Sequence, residues 1–475
     1  MLLNLSGSGP LFQQIYRAMR DSILTGRISA GDRLPVSRSL ARDLGVSRNV
    51  VLIAYEQLIA EGYAVGRVGA GTFVAQAVAR PAAATPIAFP AAAVRLSRYA
   101  SRVLAASSDP PLPSHTPRAR YDFTYYLAST EDFPAPTWRR ILGRHLRTLP
   151  LDYAPAGGDS ILRREIARYL GRARGIRCEP EQVLLVNGTQ QALDLTARVL
   201  LDPGDRVVME DPHYTGAREV FCSAGARIVP VPVDLGGLRT DLLPRRARLA
   251  YVTPSHQFPT GAVLPLERRL ALLAWAASGS AYVLEDDYGG EYRYSGRTIE
   301  AVQALDRTGC VLYTGSFSRV LFPSLRMGYL VAPPELVKPL AQAKWTADRH
   351  TSLLQQAAVA DFLREGHLDR AMRRARLRQI RRRDATRKAV ERHFGCTVQI
   401  LGTEAGAHLL LRFPDMPAGR AAAWIAAAAL QGVKVGAVSH YYLNPPACCE
   451  LLLGYAGINE REIAPGIRIL AGCRP

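Results

Sequence analysis

The chain has 475 residues, of which 48% are hydrophobic and 21% charged, and its formal net charge is +19. That length is more than one ordinary domain needs, and that composition supports a sizeable packed core and excludes a disordered or low-complexity polypeptide. No run of 18 or more apolar residues occurs, and the apolar residues 2–5 are cut off by Gly7 and Pro10, too soon for a signal-peptide core, so no membrane partner and a cytoplasmic location are expected.

The positive charge suits a polyanionic partner. It is carried mostly by arginine, because Lys338, Lys344, Lys388 and Lys434 are the four lysines. The seven cysteines include no CxxC spacing, so neither a metal site nor a disulfide framework is expected.

Along the chain, Leu11, Ile15, Met19 and Ile23 recur every four residues, which predicts a helix over 11–26 ended by Gly26. After a Gly31-Asp32-Arg33-Leu34-Pro35 turn comes a short helix with Ser37 as its cap, Leu40, Ala41 and Leu44 as its buried face and Gly45 as its stop. Ser47 caps the next helix, which buries Val50, Val51, Ala54, Tyr55 and Leu58. Two short helices joined by Leu44-Gly45-Val46-Ser47 have helix-turn-helix spacing. Residues 63–74 read as a hairpin turning at Gly69 and Gly71, and a hairpin in that place is a wing. These elements define a winged helix-turn-helix domain at 9–75. Residues 76–118 are rich in Ala and Pro and read as a linker, with room for a short helix between 94 and 104. From 119 to 475, β-rich runs at 183–186, 206–209, 249–252, 281–284 and 310–313 alternate with helical stretches such as 189–201 and 266–277. That alternation predicts an α/β domain with a mostly parallel sheet.

Ser47, Arg48 and Asn49 begin the second helix of the motif, the end that enters the major groove, where Arg pairs with guanine and Asn with adenine. Arg33, Arg38 and Arg42 suit phosphates, and Arg67 lies on the wing. Any one of these arginines reads equally well as a solvated surface residue. The ordered set of helix, helix-turn-helix and Gly-tipped hairpin does not. Through Pro10-Leu11-Phe12-Gln13-Gln14-Ile15, Gly31-Asp32-Arg33-Leu34-Pro35, Leu44-Gly45-Val46-Ser47-Arg48 and Tyr55-Glu56-Gln57-Leu58, the segment resembles the GntR family.

The larger region resembles fold-type I aminotransferases dependent on pyridoxal 5′-phosphate. The resemblance rests on Asn187-Gly188-Thr189-Gln190-Gln191-Ala192, Glu210-Asp211-Pro212-His213-Tyr214, the block from Thr253 to Gly261, Glu285-Asp286-Asp287-Tyr288 and Gly315-Ser316-Phe317-Ser318. The two regions together are similar to the MocR subfamily of GntR-type regulators over the whole chain. Gly188 and Thr189 lie between a strand and a helix, where free N–H groups and the helix dipole suit a phosphate, and Ser316 and Arg326 could complete that cradle. Tyr214 could stack on a pyridine ring, Asp286 could pair with its protonated nitrogen, and Tyr288, two residues on, could donate to its hydroxyl. Taken singly, each has a plainer reading: a core tyrosine, a turn aspartate, an N-cap threonine.

One departure stands out. The resemblance implies Ser-Phe-Ser-Lys, whose lysine forms the Schiff base with the cofactor, and here the tetrad is Ser316-Phe317-Ser318-Arg319. A guanidinium, with a pKa above about 12, does not become a free amine nucleophile. Many family members also hold the substrate carboxylate with an arginine at the position of Leu452, a task left here to Arg239 or Arg293 if to any residue. His213 falls at a position variable in the family, and His256 is expected to hydrogen-bond structurally.

The expected protein is a sequence-specific regulator with an aminotransferase-like sensor domain and no aminotransferase activity. Its expected partners are a double-stranded DNA operator, a small-molecule effector (an amino acid, or a phosphorylated or carboxylate ligand) and a second copy of itself in a homodimer. Covalent attachment of pyridoxal phosphate is not expected. The alternatives are a working aminotransferase with a DNA-binding appendage, and a cofactor-free dimeric repressor.

Overall fold

The computed structural model describes residues 5, 9–78, 95–107, 119–125, 131, 133–150, 152–290, 292–294 and 299–475. The chain divides into two compact units, Met1–Arg95 and Leu96–Pro475. Much of the Ala/Pro-rich stretch, at 79–94 and 108–118, lies outside the described residues. Between these segments, Arg98–Ala106 forms a helix capped by the Ser97 side chain, and Arg102 Nε donates to the Ser223 carbonyl at 2.8 Å.

In the first unit the four-residue apolar spacing becomes the helix Leu11–Leu24, whose Ile15, Tyr16, Met19 and Ile23 face the core. The helices Ser37–Leu44 and Arg48–Ala60 follow. Gly45 takes φ +68° and lets the Val46 N–H reach the Ala41 carbonyl at 2.9 Å, which closes the first helix and redirects the chain. Ile15, Met19, Val51 and Leu58 are wholly buried, each contributing roughly 1.5–3 kcal/mol. Ser37 is not a cap: it is the first helical residue, behind Val36, and Ser47 holds the N-cap position of its helix without a side-chain bond. Val50 is only half-buried. The strands Ala64–Arg67 and Gly71–Val74 pair antiparallel as the wing, and Arg33 bridges to Phe73 on its inner edge.

The second unit is built on an eight-stranded sheet. Its strands run in the order Val183–Val186, Gly328–Val331, Val311–Ser316, Tyr282–Asp287, Leu249–Val252, Arg206–Asp211, Arg227–Asp234 and Gly237–Leu238. All are parallel except Gly328–Val331 and the edge strand Gly237–Leu238. The central strands are buried along nearly their whole length, the expected state of parallel strands covered on both faces. A smaller antiparallel sheet of Gln399–Leu401, His408–Pro417, Cys448–Gly454 and Gly436–Ala437 packs its Leu409, Leu411, Phe413 and Leu451 on Trp424 and Phe394. Among the described residues no helix is long and apolar enough to cross a membrane.

Candidate functional site

The parallel strands all end at one edge of the large sheet, where ligands of open α/β sheets bind. Asn187 and Gly188 follow one strand end, Tyr214 another, Asp286 and Asp287 close a third, and Ser316 to Arg319 follow a fourth. Arg326 reaches the same edge because it directly precedes the antiparallel strand, whose Gly328 pairs with both Ser316 and Val186. The sheet therefore gathers Gly188, Thr189, Tyr214, Asp286, Tyr288, Ser316, Arg319 and Arg326, dispersed over 139 positions of sequence, onto one rim.

Asp286 is buried. Its Oδ2 accepts a hydrogen bond from Tyr251 Oη at 2.7 Å, while its equally buried Oδ1 has no partner. Burial pushes its carboxyl up to about 7 against the pull of the Tyr251 hydroxyl, with the Asp287 charge adding to the rise and Arg319 opposing it. Tyr288 Oη is also buried without a partner, and burial raises its pKa. Buried polar atoms are normally satisfied, so these two orphans, on residues two positions apart, suit a donor and an acceptor from outside the chain. Asp287, by contrast, is fully engaged: Arg174 Nε lies 2.7 Å from Oδ2, and Tyr313 Oη and the Gly290 N–H donate to it at 2.7 and 2.9 Å. It is a strut beneath the site.

Gly188 holds the N-cap position of the helix Thr189–Leu200 at φ +83° and offers no side-chain cap to the first turn. A Cβ there would lie 2.9 Å from the Arg326 guanidinium, which donates to the Asn187 carbonyl at 2.9 Å. Uncapped amides, a helix N-terminus and an exposed arginine form an anion cradle that any larger residue at 188 would fill. Tyr214 is half-buried beside it, edge-on to Phe258 at 6.2 Å.

The Arg319 guanidinium lies 5.5 Å from the Tyr288 ring centroid and 5.8 Å from that of Tyr125, within cation–π range of both. It makes no ion pair with any described residue. None of the lysines stands in for it. Lys344 is buried, with Nζ bound to both Asp348 oxygens at 2.8 and 2.9 Å and to Gln191 Oε1 at 3.0 Å, and Lys338, Lys388 and Lys434 are exposed.

On the far side, Leu452 is wholly buried in an apolar cluster with Phe258, Leu410, Val438 and Tyr441, and Tyr125, Tyr214 and Tyr288 pack against it. Arg239 does not compensate for the missing cation: it is on the edge hairpin, bound to Asp241 at 2.6 and 2.8 Å. Arg293 keeps a buried Nε and Nη1 without partners, next to the bridge it forms with Ala405. His256 packs with its ring 5.1 Å from that of His408 and 5.8 Å from that of Tyr288, and the Gly261 backbone is its hydrogen-bonding neighbour. Burial, with Arg319 adding to it, brings His256 down to about 4, so the ring beside Arg319 is neutral at pH 7. His213 is buried and also lowered to about 4 by burial.

Four contributors escaped the sequence. Tyr251, the partner of Asp286, sits on a strand that only the strand order makes a neighbour. Tyr125 reaches Phe258 at 4.9 Å from the start of the domain. Asn444 and Leu443, far along the chain, hold Asp211 through N–H groups at 2.9 and 2.8 Å.

In the first unit, Arg33, Arg38, Arg42, Ser47, Arg48, Asn49 and Arg67 are all exposed. Arg48 Nε reaches Ser37 Oγ at 3.4 Å, which links the N-terminal ends of the two motif helices. Arg67 lies over the Phe73 ring at 4.9 Å, and the Arg33 side chain lies against Gly71, at the turn end of the wing.

The family model for bacterial regulatory proteins of the gntR family matches residues 11–74, and that for aminotransferase class I and II matches residues 144–461. The chain is 39% identical over 474 residues to the probable rhizopine catabolism regulatory protein MocR of Rhizobium meliloti, covering 99% of this chain and 95% of that one. It is 32% identical to the pyridoxine biosynthesis transcriptional regulator PdxR of Corynebacterium glutamicum, covering 94% and 92%. Among solved structures, LysN, the alpha-aminoadipate aminotransferase of Thermus thermophilus complexed with N-(5′-phosphopyridoxyl)-L-leucine, superposes with a TM-score of 0.68 at 31% identity, covering 79% of this chain and 94% of that one. The aminotransferase-like fold typically binds pyridoxal phosphate. With its winged DNA-binding unit and its fold-type I body, the chain belongs to the MocR-type GntR transcriptional regulators.

Proposed function

We propose that the protein is a one-component regulator whose body holds pyridoxal phosphate reversibly, without a covalent bond, and passes the state of that pocket to the operator-binding unit. The observation that carries this reading is the pair of orphaned buried atoms, Asp286 Oδ1 and Tyr288 Oη, on the rim that also carries Arg319. Asp286 would take the ring nitrogen, Tyr288 the ring hydroxyl, Tyr214 a face of the ring, and Gly188, Thr189, Ser316 and Arg326 the phosphate. When bound, the cofactor supplies an electron-withdrawing ring and a reactive aldehyde. A guanidinium offers no free amine to attack a carbonyl or relay a proton, so aminotransferase turnover is not expected.

On the DNA side, Arg48 and Asn49 would read base edges, Arg33, Arg38 and Ser47 would anchor phosphates, and Arg67 would place the wing. A homodimer through the body would present two such units to two half-sites. A ligand would then shift operator affinity only as far as it binds one dimer arrangement better than another. The cytoplasm is the compartment such a regulator works in.

Dialysis of the full chain against pyridoxal phosphate, with gel shifts on its operator with and without the compound, tests this reading. Saturable, fully reversible uptake with a change in operator affinity is expected. No uptake at millimolar concentration, with unchanged operator affinity, would leave the body as a cofactor-free dimer scaffold.

A further inference from the structure

We infer that the Arg319 position is a carboxylate seat, and that among phosphorylated pyridines the site binds one bearing an acid at the carbon opposite the ring nitrogen more tightly than the aldehyde of pyridoxal phosphate. The inference rests on the ring-and-phosphate reading above and adds the identity of one substituent. A partly buried guanidinium favours an anion, and none of the described residues supplies one to Arg319. Asp286 spends one oxygen on Tyr251, and Asp287 is taken by Arg174, Tyr313 and Gly290. Glu210 is turned inward to Thr253 and Gln257. His256, the ring beside Tyr288, is neutral, and the cluster around Leu452 is apolar. The Arg319 guanidinium lies over the rings of Tyr125 and Tyr288, which attract it without neutralising it.

The sheet register sets the distance to the ring seat. Thr314 and Gly315 pair with Asp286 and Asp287 on the adjacent strand, so Arg319, just past that strand end, stands beside the rim residue Tyr288. A ring held between Asp286 and the Gly188 cradle turns toward residue 319 the substituent flanked by its hydroxyl and its phosphate arm. A lysine there would meet an aldehyde. An arginine meets a planar carboxylate in the two-pronged geometry that guanidinium favours. Beyond the ring, Leu452 offers a carboxylate no charge and Arg239 is bound to Asp241, while Arg293 keeps Nε and Nη1 unpartnered.

The test is calorimetric titration of the full chain with two probes that differ at that carbon alone, pyridoxine 5′-phosphate (neutral alcohol) and 4-pyridoxic acid 5′-phosphate (carboxylate). The acid should bind at least about tenfold tighter, as a charge-assisted bidentate pair requires. In Arg319→Gln the ratio of the two affinities should fall to near one. Both probes binding equally to the wild type would overturn the carboxylate seat and leave the ring seat standing. Neither binding would sink both. A preference for the acid that survives in Arg319→Gln would place the carboxylate elsewhere and overturn the assignment. Succinate titrated into chain saturated with the alcohol probe gives the last arm: heat of binding that vanishes in Arg319→Gln would make the anion a separate molecule and overturn the single-ligand form.

Discussion

The two units of the chain differ in what they present. In the winged unit Arg33, Arg38, Ser47, Arg48, Asn49 and Arg67 are all exposed. The body presents a glycine-opened helix N-terminus, Arg326 and two buried polar atoms without partners on one rim, while Arg319 stands where the family resemblance implies a lysine and Leu452 where it implies an arginine. Under the proposed function the contrast is one of demands, because binding needs only fixed donors and acceptors, whereas transamination needs a titratable amine at one atom.

Four substitutions sharpen the comparison. The largest effect is expected from Asp287→Ala, which leaves the buried Arg174 guanidinium without its carboxylate and should cost the body roughly 3–5 kcal/mol. In urea unfolding of the full chain, the transition of the winged unit should not move; a shift in both transitions would mean the two units do not unfold independently. Next comes Asp286→Asn, read as a function of pH. In the folded chain Asp286 titrates near 7, against about 3.9 when unfolded. Between those values the folded state holds a proton that the unfolded chain has lost, so the wild type should lose stability relative to the variant as pH rises from about 4 to about 7, and change no further above it. A Tm difference that moves the other way would show that Asp286 is ionised in the fold.

Arg48→Ala should weaken operator binding by about 1–3 kcal/mol and relax preference at one base pair, with pyridoxal phosphate uptake unaltered. An unchanged gel shift would remove Arg48 from the interface. The smallest effect belongs to Arg67→Ala. Its exposed contact with Phe73 is worth about 0.5–1 kcal/mol to the wing, and thermal melting of the winged unit should fall accordingly.

How much of this was legible in the sequence follows from the range of each interaction. Helices and strands announce themselves by local period, so Leu11–Leu24, Arg48–Ala60 and the strands at 183–186 and 249–252 emerge close to their expected bounds. The rim residues were legible because each lies at a strand end, in a block with a recognisable partner type. Tyr251, Tyr125 and Asn444 were not, since each acts across the sheet or from a distant segment, and strand order is not written in any local pattern. Caps were misread for a related reason. Ser37 has the right chemistry for a cap, but the helix starts one residue earlier than that role allows, at Ser37 itself, where its hydroxyl instead receives Arg48.

The central claim is that this body binds its cofactor's ring and phosphate without bonding to the aldehyde. Borohydride reduction of the full chain saturated with pyridoxal phosphate, followed by peptide mass spectrometry, tests it most directly. The account predicts no pyridoxyl adduct above the level of surface labelling at any of the four lysines, and a stoichiometric adduct at residue 319 when the same treatment is applied to Arg319→Lys. A stoichiometric adduct on Lys344 or any other lysine of the unaltered protein would contradict it.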